Sequence, residues 1–327
     1  MDLLSQIRSE CANLSVNKDY LGRYPLAETK SLFVPTRYGS LLVHLYRPHT
    51  KKDLLPTIVN FHGGAFIKGY RGQDIEFSHM MAYRSGSLYL DVDYKTAPEH
   101  PFPYTFEEGL DLLSYVESHA EDLGGSKDNL VLMGQSAGAN LITGMTLTFL
   151  EEGRKLPTGL ICCYPPCDLT GKLADKKGGI KDPRMIEVAS FGIACYLPHG
   201  GTENPLISPL FASKDQLKGF PPVLIITAEH DILCDEALTF ARHLAEAGTA
   251  VTAKTILGAR HGFLPRRTEG HEEGEALILS YLRFLQNGQV YKSFSKRLLR
   301  GIKSQEEGPF ITLTFLDPFS MLKAAVY

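Results

Sequence analysis

"NLVLMGQSAGANLITG", residues 129–144, joins an apolar, β-rich run to a helix-compatible run across a serine set between two glycines. A strand that becomes a helix at Ser136 must turn so tightly that positions 134 and 138 have no room for side chains, and the turn leaves the Ser136 hydroxyl exposed at its tip. Such a turn presents a nucleophile. The five-residue G-x-S-x-G pattern also occurs in ordinary loops. Here the strand "NLVLM" before it and the helix-compatible run after it supply the context that the functional reading needs.

Outward from this turn, short β-rich runs recur: "LLVHLYRP", "LPTIVNF" and "SLYLDVDY" precede it, and "LICCYP", "PPVLIITA" and "VTAKTIL" follow. Their apolar stretches are continuous rather than alternating, which predicts strands covered on both faces. Helical patterns occupy 105–123, 137–152, 235–247 and 272–286, two of them stopped by Gly248 and by Asn287-Gly288. Alternation of strand and helix from about residue 31 implies an α/β fold with a mostly parallel, doubly wound sheet. Leu3, Leu4, Ile7, Cys11 and Leu14 recur at helical spacing ahead of the sheet, with Asp2 placed to cap the helix. The looser region 168–209, rich in Gly, Pro and Lys, reads as an insertion over the sheet edge.

With 327 residues the chain suits one main domain with insertions. It is 43% apolar and 22% charged, with a formal charge of -3 and a pI near 6.4, so neither a disordered chain nor a nucleic-acid binder is indicated. The six cysteines, at 11, 162, 163, 167, 195 and 234, show no paired C-x-x-C spacing and fit free thiols in a reducing compartment. Asp2 falls where a secretory leader needs positive charge, and no apolar run approaches a membrane span. A cytoplasmic location is expected.

A serine hydroxyl needs a base to take its proton, and the tetrahedral oxyanion needs prealigned N–H donors. "FHGGAF", residues 61–66, follows an early strand and offers the backbone N–H groups of Gly63, Gly64 and Ala65; Ala137, directly after the serine, adds another. In this fold the order is serine, acid, histidine, the last two after late strands. "VLIITAEHDILCDE" offers Glu229, Asp231, Asp235 and Glu236 as acids. Asp231 lies just past its strand, whereas Asp235 reads as the cap of the next helix. Of the eleven histidines, His62 and His100 lie in turns and His243 on a helix. His261, in the short loop after the last strand, is the expected base.

Taken together, "HGGAF", "DYKTAPEHPFP", "GQSAGAN", "NPLISPL", "AEHDILCDE" and "HGF" resemble, in order, the signatures of the hormone-sensitive-lipase-like family of α/β-hydrolase carboxylesterases, over roughly residues 61–263. The resemblance implies an α/β-hydrolase fold and a triad of Ser136, Asp231 and His261. It also implies an oxyanion hole from Gly63, Gly64, Ala65 and Ala137, and hydrolysis of short to medium acyl esters through an acyl-enzyme. A helical cap, built from the N-terminal region 1–30 and the insertion near 168–209 on a hydrolase domain of 31–288, follows from the same resemblance. No metal or organic cofactor is implied. Three positions depart from the family pattern. Ala65 stands where a third glycine is common, Gln135 where many members carry an acid, and Lys95 where arginine is frequent; a lysine cannot reproduce a bidentate guanidinium contact. The segment around Lys95 is read as structural.

Residues 289–327 extend past the family's last helix, with a basic run "KSFSKRLLR" followed by the apolar "FITLTFLDPFSMLKAAVY". Apolar surface of this size favours packing on the body or a homo-oligomeric contact over a free tail. "KSFSKRLLRGIK" is too short, and too poor in tryptophan, to argue for a membrane surface. Two rival functions remain: an amidase or formamidase using the same triad, separated by matched ester and amide substrates, and a small-molecule receptor on this fold, which loss of a triad residue would favour. The partner expected is a small-molecule ester.

Overall fold

The computed structural model describes residues 2–11, 14–200 and 203–286, together with the backbone of two short strands, Ile311–Thr312 and Ala325–Val326, which pair antiparallel. The expectations for the C-terminal extension otherwise fall outside the described residues.

The continuous apolar runs form the central strands. β3 (Leu55–Phe61) and β6 (Gly159–Cys163) are buried at every position, as a strand covered on both faces requires. With β1 (Leu26–Thr36), β2 (Gly39–Pro48), β4 (Leu88–Asp93), β5 (Gly125–Gln135), β7 (Val223–His230) and β8 (Val251–Arg260) they make one eight-stranded sheet ordered β1-β2-β4-β3-β5-β6-β7-β8. Pairing is parallel from β4 to β8 and antiparallel at β1–β2 and β2–β4. The sheet begins earlier than residue 31. β1 is an edge strand with only Val34 buried and Pro35 inside it, so its sequence lacks the apolar run that marks the others.

Helices cover both faces. α4 (Tyr104–His119), α5 (Ala137–Glu151) and α8 (Cys234–Glu246) bury Leu112, Leu113, Ile142, Met145, Phe240 and Leu244 on one side. On the other, α3 (Gly72–Ser85) and α10 (His271–Gln286) bury Phe77, Met80, Met81, Ile278, Tyr281 and Leu282. The chain runs from β3 outward to β4 and then returns to β5 on the other side of β3. The carboxyl ends of β3 and β5 therefore flank a topological switch point, where crevices open in such sheets.

At the N-terminus, α1 (Leu3–Cys11) starts with Asp2 accepting the Ser5 N–H at 2.8 Å, as the capping reading expects, and Ile7 is fully buried. Leu14 breaks the helical pattern: it lies beyond α1 and is 57% exposed. The loose region contains a helix the sequence pattern did not mark, α6 (Pro183–Tyr196), begun by Asp182, whose side chain accepts the N–H groups of Arg184 and Met185, with Pro183 in the first turn. Arg184 pairs with Glu10, joining α6 to α1.

Candidate active site

Ser136 sits between β5 and α5 with φ 51° and ψ -117°, a conformation that costs a non-glycine residue energy and persists only where its surroundings enforce it. They do so by close packing. A Cβ on residue 138 would lie 1.9 Å from the Phe61 carbonyl oxygen, and one on residue 134 would lie 2.5 Å from the Ala139 nitrogen. The Ser136 N–H donates to Cys163 O at 2.9 Å, which ties the turn to β6.

Three strand ends then converge. His261, directly after β8, places Nε2 2.9 Å from Ser136 Oγ and Nδ1 2.6 Å from Asp231 Oδ2. The carboxylate offers Nδ1 only lone pairs, so that nitrogen carries the proton and Nε2 faces the serine hydroxyl as acceptor. Asp231, directly after β7, is 2% exposed, and its Oδ1 accepts the Leu233 N–H at 3.1 Å. Tyr164 packs edge-on against the imidazole at 5.1 Å between ring centroids. It holds φ 42°, a second strained non-glycine residue beside the serine.

Among the other acids, Asp235 is exposed inside the first turn of α8 and makes no capping bond; Leu233 occupies the cap position. The reading of Asp235 as the cap is thus corrected: Leu233 has no side-chain oxygen, and α8 begins without a side-chain cap. Glu236 is drawn to the insertion instead, where Oε1 accepts the Cys167 N–H at 2.7 Å and Oε2 pairs with Lys176. Glu229 Oε2 accepts the Gly258 N–H at 2.7 Å.

Gly64, Ala65, Ser136, Ala137, Asp231 and His261 share the wall of a cavity of about 370 Å³. α6 lines it with Met185, Val188, Ala189 and Ile193, with Leu169 and Leu173 beside them, while Glu10, Lys68, Arg184, Arg260 and Arg266 bring charge to the same lining. Among the described residues, no protein acceptor takes the N–H of Gly64, Ala65 or Ala137. Ala65 holds φ 51°, the left-handed conformation that favours the glycine more common at this position. Gly63 lies behind this wall.

Behind the elbow runs a buried polar chain that the motifs did not reveal. Gln135 Nε2 donates to Asn60 Oδ1 at 3.0 Å, and Asn60 Nδ2 donates to Asp91 Oδ1 at 2.7 Å. Ser78 and Tyr70 donate to the other Asp91 oxygen, at 2.6 and 2.5 Å. Complete burial nevertheless pushes the Asp91 carboxyl up to about 7. The neutral Gln135 thus reaches a carboxylic group through Asn60. Lys95 pairs with the fully buried Glu108 and donates to Ser40 O at 3.2 Å, away from the cavity. Among the described residues no three His, Cys, Asp or Glu side chains gather as a metal site, and no helix is long and apolar enough to cross a membrane.

A profile described as the alpha/beta hydrolase fold matches residues 58–265. The chain belongs to the α/β-hydrolase family. Within that family, an arylesterase of Saccharolobus solfataricus is 28% identical over 244 residues, covering 73% of this chain and 78% of the relative. A thermostable carboxylesterase cloned from a metagenomic library superposes with a TM-score of 0.76 at 28% identity, over 86% of this chain and 96% of that one. An esterase of the fungus Rhizomucor miehei gives a TM-score of 0.78 at 26% identity, over 88% and 93%. This α/β-hydrolase is similar to esterases in both sequence and architecture, and its resemblance to the hormone-sensitive-lipase-like carboxylesterases stands.

Proposed function

We propose that the protein is a serine carboxylesterase that hydrolyses short to medium acyl esters through an acyl-enzyme on Ser136. Its enzyme class, carboxylic ester hydrolase, is that of its relatives. The observation that carries the mechanism is the unbroken hydrogen-bonded line from Asp231 through His261 to Ser136 Oγ at the floor of a partly apolar cavity.

In the first half-reaction His261 Nε2 takes the Ser136 proton as Oγ attacks the ester carbonyl, and Asp231 keeps the imidazole oriented and stabilises its charged form. Negative charge develops on the carbonyl oxygen beside the N–H groups of Gly64, Ala65 and Ala137, with Gly63 shaping the loop that carries them. Collapse expels the alcohol, which receives the proton from His261. Water then repeats the sequence on the acyl-enzyme and releases the acid. α1 and residues 168–209 form the cap, residues 26–30 belonging to the sheet instead; the apolar face of α6 receives the acyl chain or the alcohol.

A fluorophosphonate should add once to the protein, at Ser136, by intact mass, and aryl esters of increasing acyl length should be hydrolysed with a maximum at short to medium chains. Labelling that persists in Ser136→Ala, or matched amides cleaved faster than esters, would overturn the reading.

A further inference from the structure

The carbonyl of Gly63 is held by two side chains that the mechanism above does not use. Arg71 Nη2 donates to Gly63 O at 2.7 Å, and His62 Nδ1 approaches the same oxygen at 2.8 Å. Arg71 is pinned in turn by Asp74: Nε lies 2.7 Å from Oδ2 and Nη2 lies 3.1 Å from Oδ1. The pair is nearly out of water, with side-chain exposures of 11% and 3%. Arg71 directly precedes α3 and Asp74 lies in its first turn, so a rigid element carries both.

The Gly63–Gly64 peptide is trans. In a trans peptide the N–H points opposite to the C=O. Anchoring Gly63 O toward Arg71 therefore turns the Gly64 N–H the other way, and Gly64 is the residue that lines the cavity with Ser136. His62 contributes direction but no charge. Complete burial brings its imidazole down to about 4, and its Nε2 has no hydrogen-bond partner among the described residues. The cation at this carbonyl is Arg71. A cation hydrogen-bonded to one end of a peptide also polarises the donor at the other end.

We propose that Arg71 is a positioning residue of the oxyanion hole, fixing and polarising the Gly63–Gly64 peptide whose N–H receives the developing oxyanion. The inference rests on the function proposed above. Arg71 itself does not line the cavity, so its effect on the oxyanion is carried by this peptide.

The test uses Arg71→Met and Arg71→Lys in the full chain, with Asp74→Asn as a third variant that leaves the arginine present but unpinned. For each, kcat and KM on an aryl ester are measured. So are the inhibition constants of a trifluoromethyl ketone, which forms an oxyanion on Ser136, and of the matching methyl carbinol, which does not. Thermal midpoints are taken in parallel. Arg71→Met should lower kcat by about 10- to 100-fold with KM changed by less than about threefold, and trifluoromethyl ketone affinity should fall in parallel while carbinol affinity holds. Arg71→Lys, whose donors all sit on one compact ammonium and cannot reproduce the fork that spans Asp74 and Gly63 O, should fall between, and Asp74→Asn should follow it. Should Arg71→Met fail to fold, the ratio of ketone to carbinol affinity in the other two variants decides. An unchanged kcat in a folded Arg71 variant, or a loss that is equal for ketone and carbinol, would overturn the inference. A wild-type protein silent on every ester would overturn the proposed function itself, an outcome distinct from an active wild type indifferent to Arg71.

Discussion

Asp231 and Asp235 are four residues apart and chemically identical, yet only one meets His261. Asp231 is fixed by the end of β7 and by the Leu233 N–H on its second oxygen, whereas Asp235 points from the exposed side of α8. Asp231→Asn should lower kcat by up to about 10⁴-fold, because an amide in that place favours the imidazole tautomer that leaves Nε2 protonated and unable to accept the serine proton. Folding should change little by circular dichroism. Asp235→Asn should keep full activity. With no capping bond to lose, Asp235→Ala should shift the urea midpoint by no more than about 0.5 kcal/mol equivalent. Activity lost in Asp235→Asn and retained in Asp231→Asn would reverse the assignment. The departure at Ala65 is absorbed locally: the backbone holds the left-handed conformation despite the methyl, and its N–H stays free toward the cavity.

At the scale of elements, the loop bearing Gly64 and Ala65 is clamped between α3 on one side and α6 on the other. A Cβ on Gly192 of α6 would lie 2.1 Å from Ala65 O, and Phe66 stacks on Tyr196 of the same helix at 4.0 Å between centroids. The helix α6 and the loop are therefore in direct contact. Gly192→Ala should displace one of them, costing about 1 to 3 kcal/mol by urea unfolding and lowering kcat more than it raises KM. Wild-type kcat with wild-type stability would show that the close approach is relieved without consequence. Neither clamp was legible as a helix. In α3, Asp74 and Glu76 are buried beside Phe77 and Met80, so acids interrupt the apolar stripe that periodicity seeks. α6 did carry a start signal, Asp182-Pro183, hidden in a stretch whose Gly, Pro and Lys content reads as loop.

For the molecule as a whole, two buried groups set opposing responses to pH. Asp91 titrates near 7 in the fold against an ordinary 3.8, so between these values the folded state keeps a proton that the unfolded chain has lost. Its contribution to stability is full below about pH 3.8 and is lost as the pH rises through 7. His62, brought down to about 4 from 6.5, does the reverse: the unfolded chain binds the extra proton, and stability rises with pH across that interval. The two slopes oppose each other, and Asp93, which burial pushes up to about 6, adds to that of Asp91. Asp91→Asn should remove its own slope, so that between pH 4 and 6.5 the urea stability of the variant climbs relative to wild type, by at most about 1.4 kcal/mol per pH unit. Parallel curves for the two proteins would show that Asp91 does not titrate there. Such groups mark the boundary of what sequence can convey. The elbow, the central strands and the glycines beside the nucleophile were determined by the sequence, because each follows from local sterics or from apolar runs within a few residues, and the order of Ser136, Asp231 and His261 was legible through the resemblance to a known family. The edge strand β1, the pairing of Arg71 and His62 on Gly63 O, the seat of α6 on Ala65 and the chain from Gln135 to Asp91 were decided only in the tertiary structure. β1 is held by its pairing with β2 rather than by an apolar run, and the others depend on groups brought together by elements distant in sequence, where burial and not residue type determines what a side chain does.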